Sequence, residues 1–221
     1  MSLKTVITGL VFTAFSFIAF NANAALMNVG GVEVMVADVD DYGKGGASSG
    51  TPPELVSFFS GANIIDTEGG QYEYKVTFLY KQAVFDNVFN APDGQSIGTD
   101  AAENDMIMGT FNVAPGAFLD FSFGANCDAS FMNCTEISNG SNVDSETSTS
   151  ANFAVSEIAT DGDVSTFYLF LNDTGSNPDV DYDDLIVFVE LTKSGPPSEV
   201  PEPSTILLLA LGAIGFARYK K

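Results

Sequence analysis

The chain has 221 residues, with 8 Lys and Arg against 29 Asp and Glu, and it contains neither His nor Trp. Its formal net charge of −21 opposes contact with phosphate backbones, which argues against nucleic acid as a partner. Without His, the chain has no imidazole base, no His-containing catalytic triad and no His-ligated zinc.

The first residues have the layout of a secretory signal peptide. Lys4 precedes an apolar run over Val6–Phe20, and the small residues Ala22 and Ala24 occupy positions −3 and −1 of a predicted cleavage site. A basic start, an apolar centre of this length and an A-x-A end are typical of such signals. We therefore expect residues 1–24 to direct export through the Sec machinery and to take no part in the folded domain.

Residues 25–195 are the predicted secreted domain, and their pattern is that of β-strands. Alternating apolar and polar residues predict half-buried strands, and continuous apolar runs predict central ones. The alternating runs are Val32–Val36, Tyr72–Tyr80 and Ala117–Phe123, and the continuous runs are Thr166–Leu171 and Leu185–Leu191.

The segments between these runs are rich in Gly, Pro and Asp, and Asp161-Gly162-Asp163 predicts a hairpin turn. The one candidate helix is Glu54–Phe59, after two prolines. Short strands with such turns, and without βαβ alternation, predict an all-β fold: an antiparallel β-sandwich or jelly roll.

Cys127 and Cys134 are the two cysteines of the chain. In an exported protein an even pair most simply forms a disulfide, here closing a short loop that stabilises the fold modestly. The alternative is a metal-binding pair or a reactive thiol, although two thiolates without His make a poor zinc site.

The densest group of charges comprises Asp179, Asp181, Asp183 and Asp184, just before the last predicted strand. Alternate residues of an extended segment project to one face, where clustered carboxylates need a cation. Ligands that are all oxygen favour Ca²⁺. An EF-hand is excluded, because Asp184 stands where that loop requires Gly. The alternative to a calcium site is ordinary turn chemistry on a solvated surface.

A second acidic segment, containing Asp38 and Asp40, follows the first predicted strand. If the first and last strands are neighbours, these carboxylates complete one calcium site with the C-terminal aspartates. Otherwise they belong to another acidic turn.

The stretch FYLFLNDTGSNPDVDYDDLIVFVEL, residues 167–191, resembles the closing two strands of uncharacterised secreted bacterial domains. In those domains a D-x-D-[FY]-[ND]-D-L segment introduces the last strand. They are regarded as β-sandwiches and have no established activity. The resemblance implies that the four aspartates lead into a strand beginning at Leu185.

The C-terminal segment has three parts in order. A Pro-rich linker over 196–203 contains Val200, Pro201, Glu202 and Pro203, followed by an apolar segment over 204–217 and a basic tail over 218–221 that begins with Arg218. This arrangement resembles the PEP-CTERM sorting signal of exopolysaccharide-producing Gram-negative bacteria. The resemblance implies a transmembrane helix, processing by an exosortase and a domain held outside the membrane.

The apolar segment is short for a membrane span. Its 14 residues make about 21 Å of helix, against a hydrocarbon core of roughly 30 Å. A helix of this length suits temporary retention in the membrane better than permanent anchoring. The alternative is a permanent single-span tail anchor. A basic tail prefers the cytoplasmic side.

These features favour a non-catalytic protein of the exopolysaccharide or biofilm matrix, held at the inner membrane and then sorted to the cell surface. Ca²⁺ would bridge its acidic surface to anionic extracellular polysaccharide. A carbohydrate-binding module is the first alternative, with Tyr42, Tyr72, Tyr80 and Tyr182 as exposed stacking residues. A glycoside hydrolase using two carboxylates is the second, although no motif identifies such a pair.

Overall fold

The computed structural model describes residues 25–35, 48–54, 57–144, 150–174 and 181–194. Several of the predicted features lie outside these ranges. They are the signal peptide with Ala22 and Ala24, Asp38, Asp40, Tyr42, Asp179, and the C-terminal segment with Val200, Pro201, Glu202, Pro203 and Arg218.

The described residues form β-strands and turns, without a helix. The strands are β1 Leu26–Val29, β2 Val32–Met35, β3 Ser49–Gly50, β4 Ser57–Ser60, β5 Asn63–Asp66, β6 Gly70–Lys81, β7 Asp86–Asn90, β8 Ser96–Gly98, β9 Met106–Val113, β10 Ala117–Phe118, β11 Ser122–Cys127, β12 Thr135–Ser138, β13 Asn152–Val155, β14 Ala159–Asp161, β15 Val164–Asn172 and β16 Leu185–Ser194.

These strands belong to three sheets, in which every pair is antiparallel. The large sheet has the order β2-β4-β13-β15-β16-β6-β3, with β14 also paired to β15 and β9 also paired to β6. The second sheet has the order β12-β11-β7-β8, and the third has the order β1-β5-β10. The predicted all-β fold with antiparallel sheets is confirmed.

The centre of the large sheet is buried on both faces. Leu169 and Phe170 are adjacent in β15, and both have no exposed surface. Neighbouring residues of a strand point to opposite faces, so each face of β15 is covered. The same holds for Ile186 and Val187 in β16. The continuous apolar runs are therefore central strands, as the sequence predicts.

Two apolar clusters cover these two faces. The main core draws residues from all three sheets, for example Ile64, Phe123 and Phe153. The rings of Phe123 and Phe153 lie 5.5 Å apart and join the second sheet to the large one. A smaller cluster on the opposite face includes Phe170 and Tyr182.

Two of the predicted elements are wrong in detail. Ser57–Phe59, the last part of the candidate helix, lies in strand β4, which pairs with both β2 and β13. The run Ala117–Phe123 is not one strand, because it leaves the third sheet after Phe118 and enters the second sheet at Ser122.

The hairpin prediction is confirmed. Asp161 pairs with Val164 across a two-residue turn, and Gly162 adopts a φ of 59°. A positive φ at the first of the two loop residues is what a hairpin turn with Gly at that position requires.

The two cysteines form a disulfide, with Cα atoms 4.1 Å apart. Cys127 ends β11, and the loop that follows is organised by Asp128, whose carboxylate accepts the main-chain N–H groups of Ser130 and Met132. The bond therefore ties the edge strand β12 to the end of β11.

Removal of this disulfide by Cys127→Ala with Cys134→Ala should lower the free energy of unfolding by roughly 2–3 kcal/mol, because the closed loop is short. Urea unfolding monitored by circular dichroism measures this loss. Reduction of the unmodified protein is the control and should give a similar loss. An unchanged unfolding midpoint in both cases would show that the bond does not stabilise the domain.

Candidate functional site

The aspartate cluster, as the structure describes it, consists of Asp181, Asp183 and Asp184. Each offers one carboxylate oxygen, and these oxygens all lie within 4.8 Å of one another. Asp183 and Asp184 are buried, whereas Asp181 is half-buried. Carboxylates this close and this poorly hydrated repel one another strongly.

Antiparallel pairing brings a fourth carboxylate to the cluster. Leu171 of β15 pairs with Leu185 of β16, so the residues beyond this pair, Asp173 and Asp184, meet where the two strands end. The main-chain N–H of Asp173 donates to Asp184 Oδ2 at 2.8 Å. Asp173 is itself buried.

Two asparagines of the second sheet hold Asp173 in place. Asn87 Nδ2 donates to Asp173 Oδ2 at 2.9 Å, and Asn126 Nδ2 donates to the main-chain oxygen of Asp173 at 2.7 Å. Asn87 Oδ1 in turn accepts the main-chain N–H of Asn126 at 2.9 Å. These three residues form a closed network that fixes the aspartate cluster against β7 and β11.

Tyr182 fixes the cluster from the other face of the large sheet. Its side chain is fully buried, packs edge-on against Phe58 with 5.0 Å between ring centroids, and its hydroxyl shares a hydrogen bond with Ser60 Oγ. The main-chain oxygen of Asp183 also accepts the N–H of Gln82 at 2.7 Å. The segment that carries the aspartates is therefore held by β4 and by the loop after β6.

The electrostatics of the cluster favour neutralisation. Burial first, and then the charges of Asp173, Asp181 and Asp183, raise the pKa of Asp184 to about 9, against the lowering effect of the Asp173 N–H. At neutral pH, Asp184 therefore keeps a proton unless a cation replaces it.

The donor set fits a hard divalent cation. Ca²⁺ binds six to eight oxygen ligands at roughly 2.3–2.6 Å, so two oxygens on one ion lie at most about 5 Å apart. The 4.8 Å limit for the three carboxylates is compatible with this distance.

Asp38 and Asp40 lie outside the described residues, so their part in the site stays a prediction. β2, which precedes Asp38 and Asp40, pairs with β4, and three strands separate it from β16. The first strand β1 lies in another sheet. The first and last predicted strands are therefore not neighbours in the large sheet.

The three described tyrosines among those proposed to stack on sugars are buried. Tyr72, Tyr80 and Tyr182 expose at most 2% of their surface. The prediction that these three are exposed stacking residues is wrong, because each fills an apolar cluster.

Similarity to known proteins is confined to the C-terminal segment. Residues 199–221 match the family model of the PEP-CTERM protein-sorting motif. The chain is a PEP-CTERM protein. No curated protein and no solved structure matches it, so the likeness of residues 167–191 to uncharacterised β-sandwich domains stays a prediction.

The motif of this PEP-CTERM protein implies export, membrane-anchored transit and processing by an exosortase. None of the described residues belongs to a helix long and apolar enough to cross a membrane. The predicted transmembrane helix at 204–217 lies beyond them.

Replacing Asp184 with Asn should stabilise the protein in EDTA at pH 8. The pKa of Asp184 is higher in the folded than in the unfolded chain, so the stability of the unmodified protein falls as pH rises from about 4 to about 9. Asn keeps an oxygen for the Asp173 N–H and does not ionise. We expect a gain on the order of 1 kcal/mol or more, measured by urea unfolding across this pH range.

Asp128→Asn is the matched control. Hydrogen bonds from Met132, Asn133 and Ser130 lower the pKa of Asp128, so its contribution to stability is lost as pH falls, and the substitution brings no gain at pH 8. A loss of stability for Asp184→Asn at pH 8 would contradict the electrostatic account of the cluster.

Proposed function

We propose that this PEP-CTERM protein is a non-catalytic component of the exopolysaccharide matrix. It is exported, held at the inner membrane by its C-terminal segment, and transferred to the cell surface after exosortase processing. The observation that carries the proposal is the sorting motif at residues 199–221. A net charge of −21 supports it, because a strongly charged body remains soluble and dispersed outside the cell.

The position of the last strand, close to the sorting motif, also supports the proposed role. β16 ends at Ser194, and four residues separate it from the matched motif. The N–H of Lys193 donates to the main-chain oxygen of Asp163 at 2.8 Å, and Lys193 Nζ lies 2.9 Å from Glu68 Oε2. The strand is thus fixed almost to its last residue.

The remaining linker sets how far the domain can lie from the membrane. Residues 195–203 separate β16 from the apolar segment, and nine residues reach at most about 32 Å when fully extended. An anchored domain of this kind therefore stays close to the membrane until it is processed.

The second part of the proposal is that the aspartate cluster binds Ca²⁺. The close carboxylates, their burial and the support from Asn87 and Asn126 favour it. A cation held there would reduce the local repulsion between the cluster and an anionic polysaccharide, whereas contact without a cation would keep it. The carbohydrate-binding alternative receives no comparable support, since the described candidate tyrosines are buried.

Substitution of the motif should block processing. With Pro201→Ala and Glu202→Ala together, we expect the full-length chain to accumulate in the membrane fraction and the released form to be lost. Immunoblotting of membrane and extracellular fractions from a host that contains an exosortase measures this. Pro196→Ala is the matched control, because it alters a linker proline outside the matched motif. Equal release of both variants would contradict the sorting proposal.

Calcium should stabilise the full chain in detergent. At 100-fold excess over its Kd, a ligand adds about 2.7 kcal/mol, which for a domain of this size raises Tm by roughly 5–10 °C. Differential scanning calorimetry in Ca²⁺ and in EDTA measures the shift.

Asp183→Asn should abolish the calcium-induced rise, whereas Asp100→Asn should preserve it. Asp100 is an exposed aspartate outside the cluster, so it controls for the loss of one negative charge. The same Tm in Ca²⁺ and in EDTA for the unmodified chain would remove the calcium part of the proposal and leave the sorting part intact.

A further inference from the structure

The loop between β6 and β7 exposes two adjacent apolar side chains. It comprises residues 82–85, of which Val84 is 96% exposed and Phe85 is 51% exposed. Single exposed apolar side chains are common on protein surfaces, whereas neighbouring ones that form a patch mark a contact site. We call Val84 and Phe85 the apolar loop tip.

Both ends of this loop are hydrogen-bonded to the carboxylate site. At its start, the N–H of Gln82 donates to the main-chain oxygen of Asp183 at 2.7 Å. Just beyond its end, Asn87 Nδ2 donates to Asp173 Oδ2 at 2.9 Å. Because consecutive Cα atoms are about 3.8 Å apart, Val84 is at most about 8 Å from Gln82 along the chain. The apolar loop tip therefore stands beside the aspartate cluster.

A third exposed apolar side chain lies at the same end of the domain. Asp86, which follows Phe85, pairs with Cys127, and the disulfide joins Cys127 to Cys134. Met132, two residues before Cys134, is 63% exposed. The apolar loop tip and Met132 together form what we call the apolar end of the domain.

The apolar end is opposite to the end from which the sorting segment continues. Gln71, near the start of β6, pairs with Ser194, the last residue of β16. The apolar loop follows Lys81, at the other end of β6. Ten residues of extended strand span about 34 Å, so processing at the sorting motif takes place far from the apolar loop tip.

We propose that the apolar end docks on a lipid surface with anionic headgroups, to which Ca²⁺ in the aspartate cluster links it. The proposal rests on the calcium part of the proposed function. Ca²⁺ binds six to eight oxygens, and three carboxylates that offer one oxygen each leave positions for phosphate oxygens of the lipid. Without the ion, a chain with a charge of −21 is repelled by anionic headgroups.

The apolar loop tip favours lipid over polysaccharide as the partner. Val84 and Phe85 gain free energy when they leave water for an apolar environment, and the region below lipid headgroups provides one. The hydroxyl-rich surface of a polysaccharide does not provide it for Val84. An anionic polymer therefore contacts the ion alone, whereas a lipid surface accepts both the ion and the loop tip.

A single tryptophan in the loop tests the proposal. The chain contains no Trp, so Phe85→Trp places one fluorophore at the loop tip. Phe118→Trp is the matched control, because Phe118 is a Phe of the third sheet with 42% exposure. Both full-length variants are reconstituted into vesicles of phosphatidylcholine and phosphatidylglycerol with brominated acyl chains, which quench nearby Trp.

We expect several-fold more quenching of Phe85→Trp in Ca²⁺ than in EDTA, with emission shifted to shorter wavelength. The quenching of Phe118→Trp should be the same in both. The C-terminal segment anchors the two variants equally, so it sets a common background. The signal arises whether the loop tip enters its own vesicle or a neighbouring one.

Further substitutions in the Phe85→Trp chain separate the apolar contact from the ion. Val84→Ser should weaken the quenching in Ca²⁺, because it removes apolar surface and leaves the aspartates unchanged. Asp183→Asn should abolish the calcium dependence, whereas Asp100→Asn should preserve it. Circular dichroism shows that each variant is folded.

Quenching of Phe85→Trp that is independent of Ca²⁺, or equal to that of Phe118→Trp, would overturn the proposal. An equal emission shift with polygalacturonate in detergent would also overturn it, since the partner would then be a polysaccharide. If Ca²⁺ raises Tm without quenching Phe85→Trp, the lipid contact is wrong and the calcium part of the proposed function stands. The absence of both effects removes both, and leaves processing by an exosortase unaffected.

Discussion

The antiparallel register between β15 and β16 is the constraint on which the rest of the structure depends. It aligns eight residue pairs from Val164 with Thr192 to Leu171 with Leu185, and it buries both faces of the two strands. The same register brings Asp173 beside Asp184 where the strands end. The apolar core and the acidic site therefore share one cause, and a shift by one residue would exchange the faces of every side chain in the pair.

At the aspartate cluster, the burial of the carboxyl groups opposes their ionisation. Asp183 and Asp184 are buried by the same packing that stabilises the sheets, and Tyr182, which precedes them, holds the segment in the smaller apolar cluster. A buried carboxylate must take up a proton or a cation. Asn87 and Asn126 hold Asp173 by hydrogen bonds without adding charge, so these two residues orient the cluster and do not neutralise it.

The central strands could be predicted because their apolar runs are long and continuous, as in Leu185–Leu191. Elements whose structure depends on pairing with residues far away in the sequence could not be predicted. Ser57–Ser60 forms a strand because β2 and β13 flank it, and no local pattern shows this. Similarly, Asp181, Asp183 and Asp184 are evident from their spacing, whereas Asn87 and Asn126 join the site through a second sheet. The sequence marks Asp173 only indirectly, as the residue that follows a predicted central strand.

The aspartate cluster and the sorting segment lie at the two ends of one strand. The aspartate cluster comes directly before β16, and the sorting segment follows it. A pull applied between these two ends would run along the covalent backbone of an already extended strand. Such a load would act on covalent bonds and on no hydrogen bond between strands.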